Sequence, residues 1–308
     1  MIPARLVPVA RFLYRVLGLL TPPLVARVAG RIDFALANRP TRCEAQVLAR
    51  NARFKNMYAG RRCFVIGNGP SLKEQDLSPL GDEITIVMNW FNKHPIIEQW
   101  KPTFYCMAEP RMDWAEEQLP RFLEKIDAQA YLYRIEYKEL FDEHRWVDPD
   151  KVYYMKTGSV AWHEWLGRKH VVDLTSGVPG CQSTSLMPLL LALYIGCSPI
   201  YLLGLDHDWL AHRGMDKHFY EGKTIENHPQ AAGDLSRYSY KADAQGVVDL
   251  WSGYEALLTL SRKTGSRILN ATYGGFLDVF ERVRYDDVIG TQEAIGGRTD
   301  SSCPARQR

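Results

Sequence analysis

The sequence has no CxxC pair. Its six cysteines, Cys43, Cys63, Cys106, Cys181, Cys197 and Cys303, are scattered along 308 residues. That spacing excludes a CxxC zinc site, supplies no disulfide framework and fits a reducing, cytoplasmic setting. Strong net charge is also missing: the formal balance is +2, so nothing global calls for a nucleic-acid partner. No apolar run approaches the roughly 20 residues that span a bilayer. The GxGxxG fingerprint, the GxxxxGK[ST] phosphate loop, the GxSxG elbow and a papain-like cysteine context are all absent, as is any internal repeat. These absences leave a folded globular chain, 46% hydrophobic and 24% charged, without a nucleophilic-triad signature.

Acidic residues are missing from the first 32 positions, where Arg5, Arg11, Arg15, Arg27 and Arg31 are interleaved with Leu6, Val7, Phe12, Leu13, Val16, Leu17, Leu19 and Leu20. Pro22-Pro23 breaks this stretch, and no small-residue cleavage site marks it as a signal peptide. It reads either as a basic amphipathic helix lying on an anionic membrane surface or as a helix packed on the main domain with its arginines in water. The first reading places the protein peripherally on the inner face of the membrane.

Residues 1–58 read as a helical preface ending in a polar helix around Cys43–Asn56. Residues 59–289 read as the main domain and 290–308 as a polar, disordered tail. Short apolar runs predict strands at 63–66, 84–88, 103–107, 130–133, 152–155, near 171–174, at 199–203 and at 267–270. Helices are expected over 113–127, 183–195 with Gly196 as its cap, 247–263 and near 276–282. Residues 210–245 read as a long polar loop or lid. The alternation predicts an α/β fold, a Rossmann-like, mostly parallel sheet with helices on both faces. Ligands of such sheets bind beyond the carboxyl ends of the strands, where Gly67–Leu72 and Gly204–Asp208 are expected.

Gly67-Asn68-Gly69-Pro70-Ser71 follows a strand. Its glycines let the backbone approach a ligand, Pro70 stiffens the turn, and Ser71 is positioned to cap a following helix whose free N–H groups favour phosphate. The alternative is a tight strand-to-helix turn without a ligand. The run Phe64–Lys73 resembles the opening motif of bacterial sialyltransferases of glycosyltransferase family 42. It equally resembles the MptE-like family, formerly domain of unknown function 115, which includes archaeal 6-hydroxymethylpterin diphosphokinases and motility-associated nonulosonic-acid transferases. Asn89, Thr175-Ser176-Gly177 and Ile200–Asp206 extend the resemblance, in order and spacing, over residues 60–285.

The resemblance implies that Gly67, Asn68, Gly69, Pro70 and Ser71 cradle the phosphates or ribose of a nucleotide. It implies that Asn89 lies near the leaving phosphate or donor sugar, that Thr175, Ser176 and Gly177 hold the base or sugar, and that Asp206 forms the floor. Two positions depart from the sialyltransferase pattern. Asp173 stands where an arginine precedes the Thr-Ser-Gly, and Asp208 where a tyrosine follows the aspartate. The pair Asp206 and Asp208 suits a divalent cation such as Mg²⁺. His218 is the preferred general base, with His207, His212 and His228 behind it. Lys217 is placed to offset phosphate charge. Tyr220, Trp90, Phe91, Trp209 and Phe219 read either as core residues, as most aromatics of a globular chain are, or as stacking partners for a base or sugar, and Glu109 is expected on the same rim. Trp146, Trp162 and Trp165 are expected to pack a subdomain.

Three functions follow. The first is a glycosyltransferase moving a sugar from a nucleotide-activated, CMP-type donor to a surface glycan, as in polysaccharide biosynthesis. The second is an ATP-dependent diphosphokinase acting on a pterin alcohol, a small-molecule acceptor. The third is a non-catalytic nucleotide-binding protein. No organic cofactor beyond the nucleotide is implied, and the sequence gives no oligomeric state.

Overall fold

The computed structural model describes residues 39–108, 115–158, 162, 166, 171–211, 218–220 and 239–296. The arginine-rich stretch of residues 1–32 lies outside them, as do Glu109, Trp165, His212, Lys217 and His228. Eight strands form one sheet: β1 (Cys63–Ile66), β2 (Ile84–Met88), β3 (Phe104–Met107), β4 (Ala130–Arg134), β5 (Val152–Met155), β6 (Ile200–Leu203), β7 (Ile268–Asn270) and β8 (Glu281–Arg282). Their order is β5-β4-β3-β2-β1-β6-β7-β8, and every pairing is parallel. The sheet thus matches the expected Rossmann-like α/β class.

The central strands β1, β3 and β6 run as unbroken apolar segments, and β2 is broken only by the buried Thr85, because both faces of the sheet are covered. Alternate side chains divide between two cores. Cys63, Val65, Ile86 and Cys106 face one side, where α4 (Leu186–Tyr194) and α5 (Tyr240–Thr264) pack. Phe64, Ile66, Val87, Tyr105 and Tyr133 face the other, with α2 (Ala115–Leu123), α3 (Lys138–His144) and α6 (Tyr285–Gly296). Helix α4 is buried all round, which explains its run of leucines. Before β1, α1 (Arg42–Leu48) and a 3₁₀ turn (Ala49–Phe54) pack Leu48, Asn51 and Phe54 into the domain. Asn51 donates to the carbonyls of Tyr154 at 2.8 Å and Leu174 at 2.7 Å, tying the segment after β5 to the sheet.

Four expectations are corrected. Residues 171–174 form no strand; Asp173 turns the chain by accepting the Thr175 N–H at 3.0 Å and hydroxyl at 2.6 Å. Residues 276–282 form no helix, because their backbone is committed elsewhere: Phe276 N–H donates to the Asp206 carbonyl at 2.7 Å, and Asn270 Nδ2 donates to the Leu277 carbonyl at 2.8 Å. Helix α5 begins at Tyr240, inside the stretch read as a lid, with Gln245 donating to Asp249 one turn on. Helix α6 carries order to Gly296, past the expected start of the tail at 290. No helix among the described residues is long and apolar enough to cross a membrane.

Candidate functional site

The chain runs outward from β1 to β5, then returns across the sheet to place β6 on the other side of β1. The carboxyl ends of β1 and β6 therefore flank the topological switch point, the place where a doubly wound sheet leaves a crevice. A cleft of about 240 Å³ opens there. It is lined by Gly67, Asn68 and Gly69 after β1, Met88 and Asn89 at the end of β2, Ser183, Thr184 and Ser185 ahead of α4, Gly204–Trp209 after β6, and His218.

The two strand-end loops touch through their glycines. Gly69 N–H donates to the Gly204 carbonyl at 2.8 Å. A Cβ on Gly69 would lie 1.6 Å from Asp206 Oδ2, so only glycine leaves room for that carboxylate. Gly204 has φ +62° and takes the left-handed conformation that turns β6 into the cleft.

Asp206 is the floor of this arrangement and is 6% exposed. Its Oδ1 accepts the Ser71 backbone N–H at 3.2 Å and its Oδ2 accepts the Ser71 hydroxyl at 2.9 Å. Burial pushes its carboxyl up to about 6; the two Ser71 bonds pull down and the nearby Asp208 charge adds to the rise. This corrects the expected helix-capping role of Ser71. The element after the loop is a 3₁₀ turn of five residues, Pro70–Glu74, and the Ser71 N–H meant for phosphate serves Asp206 instead. Pro70 and Ser71 stand behind the cleft wall.

The two asparagines are held differently. Asn68 Nδ2 donates to the Met88 carbonyl at 2.9 Å, which fixes the amide and leaves Oδ1 as an acceptor. Asn89 stands at φ +48°, and its carbonyl accepts the Tyr105 hydroxyl at 2.9 Å. Both side-chain oxygens are buried without a hydrogen-bond partner among the described residues. A buried acceptor left unpaired is costly, and a ligand hydroxyl or amine relieves it.

His207, also left-handed at φ +51°, lies 2.6 Å through Nε2 from the Tyr254 hydroxyl. That hydroxyl is 2.6 Å from Ser185 Oγ, which donates to Ser183 Oγ at 3.0 Å. Burial drives the His207 imidazole down to about 3, so it is neutral at physiological pH. Trp209 sets its ring edge-on against His207 with centroids 5.3 Å apart.

The structure brings Gly67, Asn68, Gly69, Asn89, Asp206, His207, Asp208, Trp209 and His218 together around one cleft. Thr175, Ser176 and Gly177 are not among the cleft residues. The Thr175 hydroxyl donates to Asp173 Oδ1 and the Ser176 hydroxyl to the Asp173 carbonyl at 3.0 Å, beside an isolated bridge between Thr157 and Val178 at the edge of β5. The hydroxyl-bearing triplet that enters the cleft is Ser183-Thr184-Ser185, which the sequence reading passed over. Its signal was its place directly ahead of the apolar helix. Tyr220 stacks on His218 at 5.0 Å but lies outside the cleft lining. Phe91, Phe219 and Trp162 are core residues, and Trp146 stacks on His144.

Mg²⁺ held jointly by Asp206 and Asp208 fits this donor set poorly. Such an ion needs free carboxylate oxygens in a near-octahedral shell. Each Asp206 oxygen already accepts a hydrogen bond from Ser71, burial favours its protonated form, and no group of three or more His, Cys, Asp or Glu side chains converges among the described residues.

No family model and no curated protein matches the chain. Solved structures do. A variant of the sialyltransferase CST-II in complex with CMP is 14% identical, with a TM-score of 0.45 over 72% of this chain and 86% of that one. The Maf glycosyltransferase of Magnetospirillum magneticum AMB-1 is 15% identical, with a TM-score of 0.41 over 82% of this chain and 41% of that one. A mammalian sialyltransferase in complex with Gal-beta-1-3GalNAc-ortho-nitrophenol is 16% identical, with a TM-score of 0.37 over 70% of each chain.

Proposed function

We propose that the switch-point cleft binds a nucleoside-monophosphate-activated sugar, of the CMP type, and that the protein transfers the sugar to a glycan hydroxyl. The observation that carries this is the polarity of the lining. Asn68 Oδ1 and Asn89 Oδ1 are buried acceptors seeking donors, and Ser183, Thr184 and Ser185 add hydroxyls. Ribose, sugar and cytosine amine all offer donors. The lining contains no lysine or arginine and two carboxylates among the described residues. A triphosphate carries far more negative charge than such a wall balances, whereas a single phosphodiester carries one. That weighs against the ATP-dependent diphosphokinase reading.

In this reaction the acceptor hydroxyl oxygen attacks the anomeric carbon, and the bond from that carbon to the phosphate oxygen breaks. The nucleoside monophosphate leaves with the bonding electrons. His218, on the cleft wall, takes the hydroxyl proton. His207 is a weaker base, because burial holds its imidazole far below neutrality.

Calorimetric titration with CMP, CDP, UDP, GDP and ATP, each with and without Mg²⁺, tests the reading. CMP binding without metal is expected. Binding of ATP alone, and only with Mg²⁺, overturns it in favour of pyrophosphoryl transfer. With a turning-over donor, His218→Ala is expected to lower kcat by about 10²-fold or more while donor binding holds.

A further inference from the structure

A second, larger cavity of about 580 Å³ lies across the Asn89–Lys93 turn from the cleft, walled by that turn, the Pro95–Glu98 turn and α2. Asn89 faces the cleft while Trp90 and Lys93 line this cavity, so one short turn separates the two spaces. Trp90 stacks on Phe122 with centroids 3.7 Å apart and planes 27° apart, so Phe122 covers one of its faces. Asn92 and Gln118 add planar amides. A concave space with a few convergent polar groups is how proteins hold and orient a small ligand.

Three cations line the cavity. Arg121 pairs with Glu117 at 3.2 Å and Lys125 with Glu98 at 3.0 Å. Lys93 differs: its Nζ is buried and has no hydrogen-bond or ion-pair partner among the described residues. It sits over the ring of Trp90 at 4.3 Å and of Tyr220 at 5.0 Å. Burial lowers its pKa. Two π faces offset only part of the desolvation of an ammonium whose three donors go unused. A carboxylate offers more, through charge-assisted hydrogen bonds. Because the Tyr220 ring covers Lys93, an anion reaches the ammonium by taking the place of that ring.

We propose that this cavity is a subsite for an acidic sugar, with Lys93 on its carboxylate and the Asn92 and Gln118 amides toward its hydroxyls. Calling that sugar part of the acceptor rests on the transferase reading; the binding itself does not. The position supports the acceptor side, since a ligand here lies next to the donor cleft without occupying it.

The test uses the full chain and saturation-transfer NMR with glucuronic acid, N-acetylneuraminic acid and neutral galactose, with and without saturating CMP. Acidic sugars are expected to bind in preference to galactose and without competing with CMP. Lys93→Met is expected to weaken the acidic sugars at least fivefold, Lys93→Arg to keep them within twofold, and both to leave CMP affinity unchanged. Tyr220→Ala uncovers Lys93 and is expected to tighten acidic but not neutral sugars, which keeps the test alive if Lys93→Met fails to fold. Equal acidic-sugar affinity in Lys93→Met, weaker or unchanged affinity in Tyr220→Ala, or competition with CMP overturns the proposal. Lys93-dependent binding in a protein that ignores CMP leaves this subsite standing and removes the transferase reading.

Discussion

Ser71 donates twice to Asp206, its backbone N–H to Oδ1 at 3.2 Å and its hydroxyl to Oδ2 at 2.9 Å. The pair joins loops 135 residues apart in sequence and holds a carboxyl that burial keeps near 6 rather than 3.8. Between those two values the native state keeps a proton that the unfolded chain has released. Stability therefore falls as pH rises through this window, and the ionised carboxylate costs about 3 kcal/mol by neutral pH. Asp206→Asn removes the titration; its amide oxygen still accepts the Ser71 N–H while its NH₂ donates to the Ser71 hydroxyl oxygen. Urea unfolding from pH 4 to 8 is expected to show the variant gaining on the wild type as pH rises. A difference that stays constant across that range rejects this account of Asp206.

His207 works in the opposite direction. Its native value of about 3 lies below the ordinary 6.5, so the unfolded chain binds the extra proton. Stability rises with pH through that window and is lost on acidification. His207→Asn keeps a residue tolerant of φ +51° and removes the imidazole. The variant is expected to lose less stability than the wild type between pH 7 and pH 4.5. Since the two groups oppose each other, Asp206→Asn makes the remaining acid sensitivity steeper.

Gly69→Ala places a methyl group where Asp206 Oδ2 lies, at 1.6 Å. The overpacking is expected to cost about 2 kcal/mol or more. In an Asp206→Ala background the carboxylate is gone and the penalty shrinks, though the Gly204 carbonyl at 2.8 Å keeps some of it. A double-mutant cycle by denaturant unfolding reads the coupling. Simple additivity of the two substitutions contradicts the contact.

Asn89 separates backbone from side chain. At φ +48° alanine is strained by about 1 kcal/mol, whereas glycine is not. Asn89→Ala is expected to lower the melting temperature and Asn89→Gly to leave it close to the wild type. Both remove Oδ1, and both are expected to weaken CMP about tenfold, the worth of one hydrogen bond in a buried site. Full CMP affinity in Asn89→Gly removes this amide from the site.

The sheet was legible because strands buried on both faces are written as unbroken apolar runs; Cys63–Ile66 and Val152–Met155 are the runs expected. The loop Gly67–Gly69 was legible because the glycines mark a close approach, and Asp206 because it ends a strand at the switch point. Thr175-Ser176-Gly177 lies outside the cleft lining because the Thr175 and Ser176 hydroxyls close a local turn on Asp173, and residues of that kind serve turns as readily as ligands. Ser183–Ser185 carries no pattern of its own until α4 is placed behind it. Lys93 was invisible for a different reason. Its environment is made by Trp90 nearby and by Tyr220 more than a hundred positions on, and no local spacing encodes that meeting.

The switch point also fixes when the site comes into being. Its floor and one wall come from β6 and the loop after it, which follow β2 through β5 in the chain and pair with β1 on the other side. Until that long-range pairing forms, Gly69 has no Gly204 carbonyl and Ser71 no carboxylate to hold. Such late, non-local contacts set the pace of folding. A chain emerging from synthesis completes this cleft only once β6 has been made, so ligand binding there reports a completed sheet and no fragment ending before residue 200 can show it.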